Sequence, residues 1–103
     1  MTENTIHYSE LAKQDLDEIY EYILLELQNP TAAQKTITGI LSEISSLKLH
    51  PKSGKLVSLP NGLESEYRFV MYKNYLAFYR HEDNDIYIDR VLYGKRDYLR
   101  ILF

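Results

Sequence analysis

EYRFVMYKNYLAFYR, residues Glu66–Arg80, sets two runs of aromatic and aliphatic residues on either side of the polar pair Lys73-Asn74. Runs of this kind, split by a short polar break, read as two antiparallel strands joined by a tight hairpin. With a two-residue loop, Tyr72 faces Tyr75 and Arg68 faces Tyr79. One face then carries Arg68, Val70, Tyr72, Tyr75, Ala77 and Tyr79, with Arg90 of the following strand added to it. The opposite face carries Phe69, Met71, Leu76, Phe78 and Arg80. Both faces are apolar or aromatic, so whatever covers one leaves the other to a partner or to a concave site. A one-residue slip in the loop would exchange the two sets.

Working outward, the β-rich run Asp85–Tyr93 follows the polar turn Glu82-Asp83-Asn84 and completes an antiparallel meander. Upstream, LPNG (Leu59–Gly62) and HPKSG (His50–Gly54) are turn signals. Before them lie two helical patterns. Ala12, Leu16, Ile19, Tyr20, Ile23, Leu24 and Leu27 recur at helical steps, with Gln14, Asp15, Asp17, Glu18 and Glu21 largely elsewhere. Ser9 suits the N-cap of that helix, and Asn29-Pro30 ends it and opens the next. Ala33, Ile37, Ile40, Leu41, Ile44 and Leu47 form the second stripe, so two antiparallel helices make a hairpin. Thr5–Ser9 alternates as a short first strand. The expected fold is α+β, in the order β-α-α-β-β-β, an antiparallel sheet with the helical hairpin packed on one face.

At 103 residues the chain is one domain, 1–103, since a second core would leave neither half enough buried surface. With 45% hydrophobic and 26% charged residues it reads as globular, and without cysteine it has no disulfide framework or thiolate metal site. No leader-like start or membrane-length apolar run is visible, which points to the cytoplasm and away from a membrane. The net charge of −3 argues against a generic nucleic-acid binder. That charge is unevenly spread: residues 1–47 hold two cations and eight acids, while residues 48–103 hold ten cations and seven acids.

The four glycines are scattered and His7, His50 and His81 stand alone, so neither a phosphate loop nor a metal site is expected. No cofactor is implied. The tail RVLYGKRDYLRILF (Arg90–Phe103) brings Lys95, Arg96, Tyr98 and Arg100 close in sequence, and the sheet adds Arg68, Arg80 and Arg90. Arginine and lysine beside tyrosine suit RNA, by phosphate pairing and base stacking. The same groups can divide the base, acid and charge-stabilising tasks of RNA cleavage without a metal. Against this stands a plainer reading in which Arg96–Asp97 and Asp89–Arg90 are local ion pairs and Tyr98, Ile101, Leu102 and Phe103 close the core.

The succession YSELAKQDLDEIYEYI (Tyr8–Ile23), LKLHPKSGK (Leu47–Lys55), EYRFVMYKNYLAFYR and IYIDRVLYGKRD (Ile86–Asp97) resembles the RelE/ParE family of bacterial toxins over nearly the whole chain. The resemblance implies a growth-inhibiting toxin of a type II toxin–antitoxin, plasmid-stabilising module, with a cognate antitoxin protein as partner. It also implies one of two targets. RelE-like members enter the ribosome and cut mRNA, which gives the first expectation: a ribosome-dependent mRNA endoribonuclease with Arg68, Lys95, Arg96 and Tyr98 as catalytic residues. Arg80, Arg90, Tyr93 and Arg100 would then bind nucleic acid or target. ParE-like members block DNA gyrase without catalysis, and an inactive homologue would act only in a repressor complex with its antitoxin.

The match carries over unevenly. Arg68 falls where a RelE-like strand has a catalytic lysine, and Arg96 on the arginine after the last strand. A catalytic arginine position falls on Leu76, Tyr98 lies four residues before the catalytic tyrosine position, and many ParE-like members have histidine where Tyr93 stands. The long hairpin and the DLxxIY pattern lean to the ParE side.

Overall fold

The computed structural model describes residues 3–94 and 98–103. Its elements are β1 (Thr5–Tyr8), α1 (Glu10–Glu21), α2 (Pro30–Ser45), β2 (Lys55–Ser58), β3 (Glu64–Tyr72), β4 (Tyr75–Glu82), β5 (Asp85–Tyr93) and α3 (Tyr98–Leu102). A wide π turn, Tyr22–Glu26, continues α1, and a short 3-10 turn, Ser46–Lys48, continues α2.

Local chemistry explains the helix starts. The Ser9 hydroxyl accepts a 3.0 Å bond from Ala12 N–H and donates a 2.8 Å bond to the Asp89 carbonyl, so the cap also ties α1 to β5. Asn29 caps α2 by accepting from Ala32 N–H at 3.0 Å, with Pro30 in the first turn.

The sheet order is β1-β5-β4-β3-β2, with β1 parallel to β5 and every other pair antiparallel. Two features differ from the sequence reading. The expected antiparallel sheet is a mixed one, because the helical hairpin carries the chain back across one face and lays β1 along β5 in the same direction. A fifth strand, β2, also pairs beside β3. Four residues between two turn signals are too short for alternation to reveal, and only the β3 edge makes them a strand.

The hairpin register is the expected one: Arg68 opposes Tyr79, Val70 opposes Ala77, and Tyr72 opposes Tyr75. Its face with Ala77 and Tyr79 lies under the helices, in a core shared with Ala12, Ile40, Ile44 and Leu47. The other face does not await a partner throughout. Val57, Leu76, Phe78 and Leu92 are buried there beneath Tyr98, Leu99, Ile101 and Leu102 of α3. Burying side chains such as Phe78 and Leu92 favours the folded state by roughly 1.5–3 kcal/mol each. Ile101 and Leu102 thus anchor the tail as the core-closing reading expected, whereas Phe103, at the chain end, stays 56% exposed and only meets Tyr67 edge-on.

One extra residue in β5 breaks the ladder between Phe78/Arg90 and Tyr79/Ile88. Asp89 and Arg90 face opposite sides of the sheet by ordinary strand alternation, and the bulge turns Arg90 and Val91 together toward the helices. Gly54 is required on the helix side: a Cβ there would collide with the Tyr79 ring and the Phe69 carbonyl. The Tyr79 hydroxyl, wholly buried, accepts from Gly54 N–H at 3.0 Å and donates to the Pro51 carbonyl at 2.8 Å. These bonds fasten the 50–54 turn to the sheet.

Candidate functional site

Among the described residues, the cationic side chains singled out from the sequence are held apart. Arg68 turns to the 50–54 turn, where Nη1 donates to the Gly54 carbonyl at 2.9 Å and the Lys52 carbonyl at 3.3 Å. Arg80 lies on the opposite face. Its Nε donates to Asp89 at 2.7 Å, its Nη1 to Glu82 at 3.2 Å, and its guanidinium stacks 5.2 Å from the Tyr87 ring centre. Tyr67 donates to the same Asp89 oxygen at 2.9 Å. Burial and then the bond to Asp89 push the Tyr67 hydroxyl up to about 12, because a phenolate beside that carboxylate is disfavoured. The row ends at the sheet edge, where His7 stacks on Tyr87 and its Nε2 lies 2.9 Å from Asp85.

Arg90 is spoken for by α1. Its Nε and Nη2 bond the two oxygens of Asp15 at 2.8 and 2.9 Å, and Val91 N–H adds a third bond at 2.9 Å. Asp15 is only 7% exposed. The bidentate bond raises the Arg90 guanidinium above its already high range. The local Asp89–Arg90 pair of the plainer sequence reading is therefore not formed; strand alternation turns Asp89 to Arg80 on one face and Arg90 to Asp15 on the other. Asp15 was grouped with the solvated face of its helix, yet its spacing from Ala12 and Ile19 puts it on the apolar stripe, the signal that sequence reasoning passed over.

Tyr98 packs flat-tilted on Phe78, with ring centres 5.2 Å apart. Tyr93 is 37% exposed and meets Tyr75 edge-on at 5.5 Å. Arg100 is exposed on α3. Lys95 and Arg96 lie outside the described residues. Leu76, at the position matched to a family arginine, is 5% exposed and part of the cluster under α3.

Two concavities accompany these groups. A cavity of about 340 Å³ on the α3 face runs between Met71, Asn74, Gly94 and Tyr98. A larger groove of about 700 Å³ separates the end of α1 from the sheet, lined by Asp15, Glu18, Tyr22, Leu27, Tyr75 and Tyr93 among others. Among the described residues, no three of His, Cys, Asp or Glu are grouped to hold a metal. No helix among them is long and apolar enough to cross a membrane.

The two long helices packed on this five-stranded mixed sheet match the fold of RelE/ParE-like toxin structures. The chain superposes on a protein of the chromosomal ParDE toxin–antitoxin system of P. aeruginosa with a TM-score of 0.73 and 21% identity, covering 89% of this chain and 97% of that one. It also superposes on one from the RelBE2 toxin–antitoxin complex of Mycobacterium tuberculosis, with a TM-score of 0.59 and 18% identity over 88% and 98% of the two chains. No curated protein sequence matches it significantly. Residues 6–98 match the family model described as the ParE toxin of type II toxin–antitoxin systems, parDE. The chain belongs to the ParE toxin family.

Proposed function

We propose that this toxin arrests growth by binding DNA gyrase, without catalysis, and that a cognate antitoxin neutralises it. The observation that supports this reading is Leu76. Where the nuclease reading needs a cation at the scissile phosphate, this chain has a buried leucine packed with Phe78 and Leu92. The surrounding arginines agree with it, since Arg68, Arg80 and Arg90 each serve protein acceptors. Inhibition by binding needs no such set and tolerates their structural use.

The test is to induce the chain without antitoxin and follow growth, mRNA 5′ ends and plasmid supercoiling, then to add purified protein to gyrase and DNA. Growth arrest, intact mRNA and blocked supercoiling are expected. Fresh codon-positioned mRNA cuts with normal supercoiling would establish the ribosome-dependent nuclease instead, with Lys95, Arg96 and Tyr98 as its first residues to probe. Normal growth would leave the inactive homologue, acting only in an antitoxin repressor complex.

A further inference from the structure

The turn between β2 and β3 brings a reactive pair to the surface. Leu59-Pro60-Asn61-Gly62 closes with Gly62 N–H donating to the Leu59 carbonyl at 2.9 Å, and Leu59 N–H donates to the Leu63 carbonyl at 2.8 Å. Gly62 takes φ +85°, the left-handed position that a three-residue hairpin loop of this kind requires. Asn61 and Gly62 are both exposed, and the space where a Cβ of Gly62 would lie is open. The Asn61 Oδ1 accepts from Leu63 N–H at 3.0 Å, so the side-chain amide folds over the Gly62 peptide unit instead of pointing into solvent.

We propose that Asn61 is a site of spontaneous covalent modification, converting to isoaspartate and aspartate through a cyclic imide with the Gly62 nitrogen, and that the isoaspartate loosens β2. Water takes the Gly62 amide proton, and the nitrogen attacks the Asn61 Cγ to form a new C–N bond. The Cγ–Nδ2 bond then breaks and ammonia leaves. Negative charge develops on Oδ1 during the attack, where Leu63 N–H already donates. Water opens the imide on either side, giving aspartate by attack at Cγ and isoaspartate by attack at the main-chain carbonyl. No oxidant or reductant is consumed. The other asparagines lack this setting. Asn29 precedes Pro30, which has no N–H to lose. Asn4, Asn74 and Asn84 precede Thr5, Tyr75 and Asp85, the first residues of β1, β4 and β5, whose side chains crowd the attacking nitrogen.

The two products differ in the turn. Aspartate keeps an acceptor for Leu63 N–H. Isoaspartate runs the main chain through the former side chain and lengthens the loop by one backbone atom. β2 is a four-residue edge strand with a register shift between Leu56 and Ser58, and it holds Val57, 3% exposed, against the Phe78 cluster. A longer loop therefore frees the strand that depends most on its turn. The inference does not depend on whether gyrase is the target.

The full chain is held folded in mildly alkaline buffer and sampled by isoelectric focusing and peptide mass mapping, with isoaspartate counted by a carboxyl methyltransferase specific for it. The net charge shifts by one unit, from −3 to −4, and the change maps to Asn61 alone. Amide exchange at Val57, Leu59 and Leu63 is faster in the isoaspartyl fraction than in fresh protein. Asn61→Gln, whose longer side chain closes the ring poorly, loses the charge shift while its thermal melt stays unchanged. Asn61→Asp begins at the shifted charge and keeps the exchange of fresh protein in β2. A peptide of residues 58–65 reports the reaction without the fold. Conversion in that peptide with none in the folded chain would overturn the proposal, because the turn would then protect Asn61. So would conversion spread evenly over the asparagines, or isoaspartate at Asn61 with unchanged exchange in β2.

Discussion

Exchanging Arg90 for methionine tests whether the Asp15–Arg90 pair holds α1 to β5. The two side chains are unequal in their access to water: Arg90 keeps 21% of its side chain exposed, Asp15 only 8%. Removing arginine therefore strands a carboxylate that water reaches poorly, with the Val91 N–H as its remaining donor among the described residues. Removing the acid leaves a guanidinium that can turn toward solvent. Breaking a buried pair costs about 3–5 kcal/mol when the remaining charge stays buried. We place Arg90→Met near ~3 kcal/mol on that basis, and Asp15→Asn nearer ~1–2 kcal/mol, since the amide keeps part of the hydrogen bonding. The double variant Asp15→Leu/Arg90→Met removes both charges together and should lose only about 1 kcal/mol, apart from the unpaired Val91 N–H. Urea unfolding followed by circular dichroism, with m-values compared, measures all three. If the single losses simply add in the double variant, or if Asp15→Asn costs more than Arg90→Met, the argument from unequal burial is wrong.

Tyr79→Phe should lose about 1–3 kcal/mol, because it orphans the Gly54 N–H and the Pro51 carbonyl in a buried site; faster amide exchange at residues 50–54 would show where. Gly54→Ala should destabilise by roughly 1–3 kcal/mol through overpacking against Tyr79 and the Phe69 carbonyl, and unchanged urea unfolding would contradict the close approach. Truncation after Gly94 uncovers Phe78, Leu76 and Leu92, now 0%, 5% and 2% exposed, so the shortened chain should bind an apolar dye and lose solubility. Tyr67 keeps its proton in the folded chain up to about 12, above the ordinary tyrosine value of 10.0, so its contribution is fully present below pH 10 and is lost as pH rises through about 12. Absorbance titration of Tyr67→Phe should lack the highest phenolate step; if that step persists, another tyrosine carries it.

Periodicity and turn chemistry carried most of the fold. The Lys73-Asn74 loop fixed the β3–β4 register, because a side-chain period of two leaves no intermediate choice once the loop length is known. Ser9, Asn29 and Pro30 marked helix ends through bonds formed within a few residues, which is why they are visible in the sequence. The family resemblance rested on the order of several short motifs, and the match over residues 6–98 agrees with it. The tail hydrophobes were offered as core-closing residues, but which sheet face they cover was not legible, because an apolar face specifies burial without naming its cover. The chain's own α3 supplies it.

The sequence by itself determined the two long helices, β1, the β3–β5 meander and the hairpin register, all consequences of local spacing, whereas β2 and α3 became visible only in the fold. Only the tertiary structure decided the use of the charges. Asp89 and Arg90 point to opposite faces of β5, and packing gives each a partner that neighbouring sequence positions do not indicate, 75 residues away in the case of Asp15. A guanidinium's role depends on which acceptor it meets, and that is fixed by how strands and helices pack, not by the residues beside it in the chain. The same packing gathered Tyr22, Tyr75 and Tyr93 into one groove, although nothing in their sequence spacing brings them together.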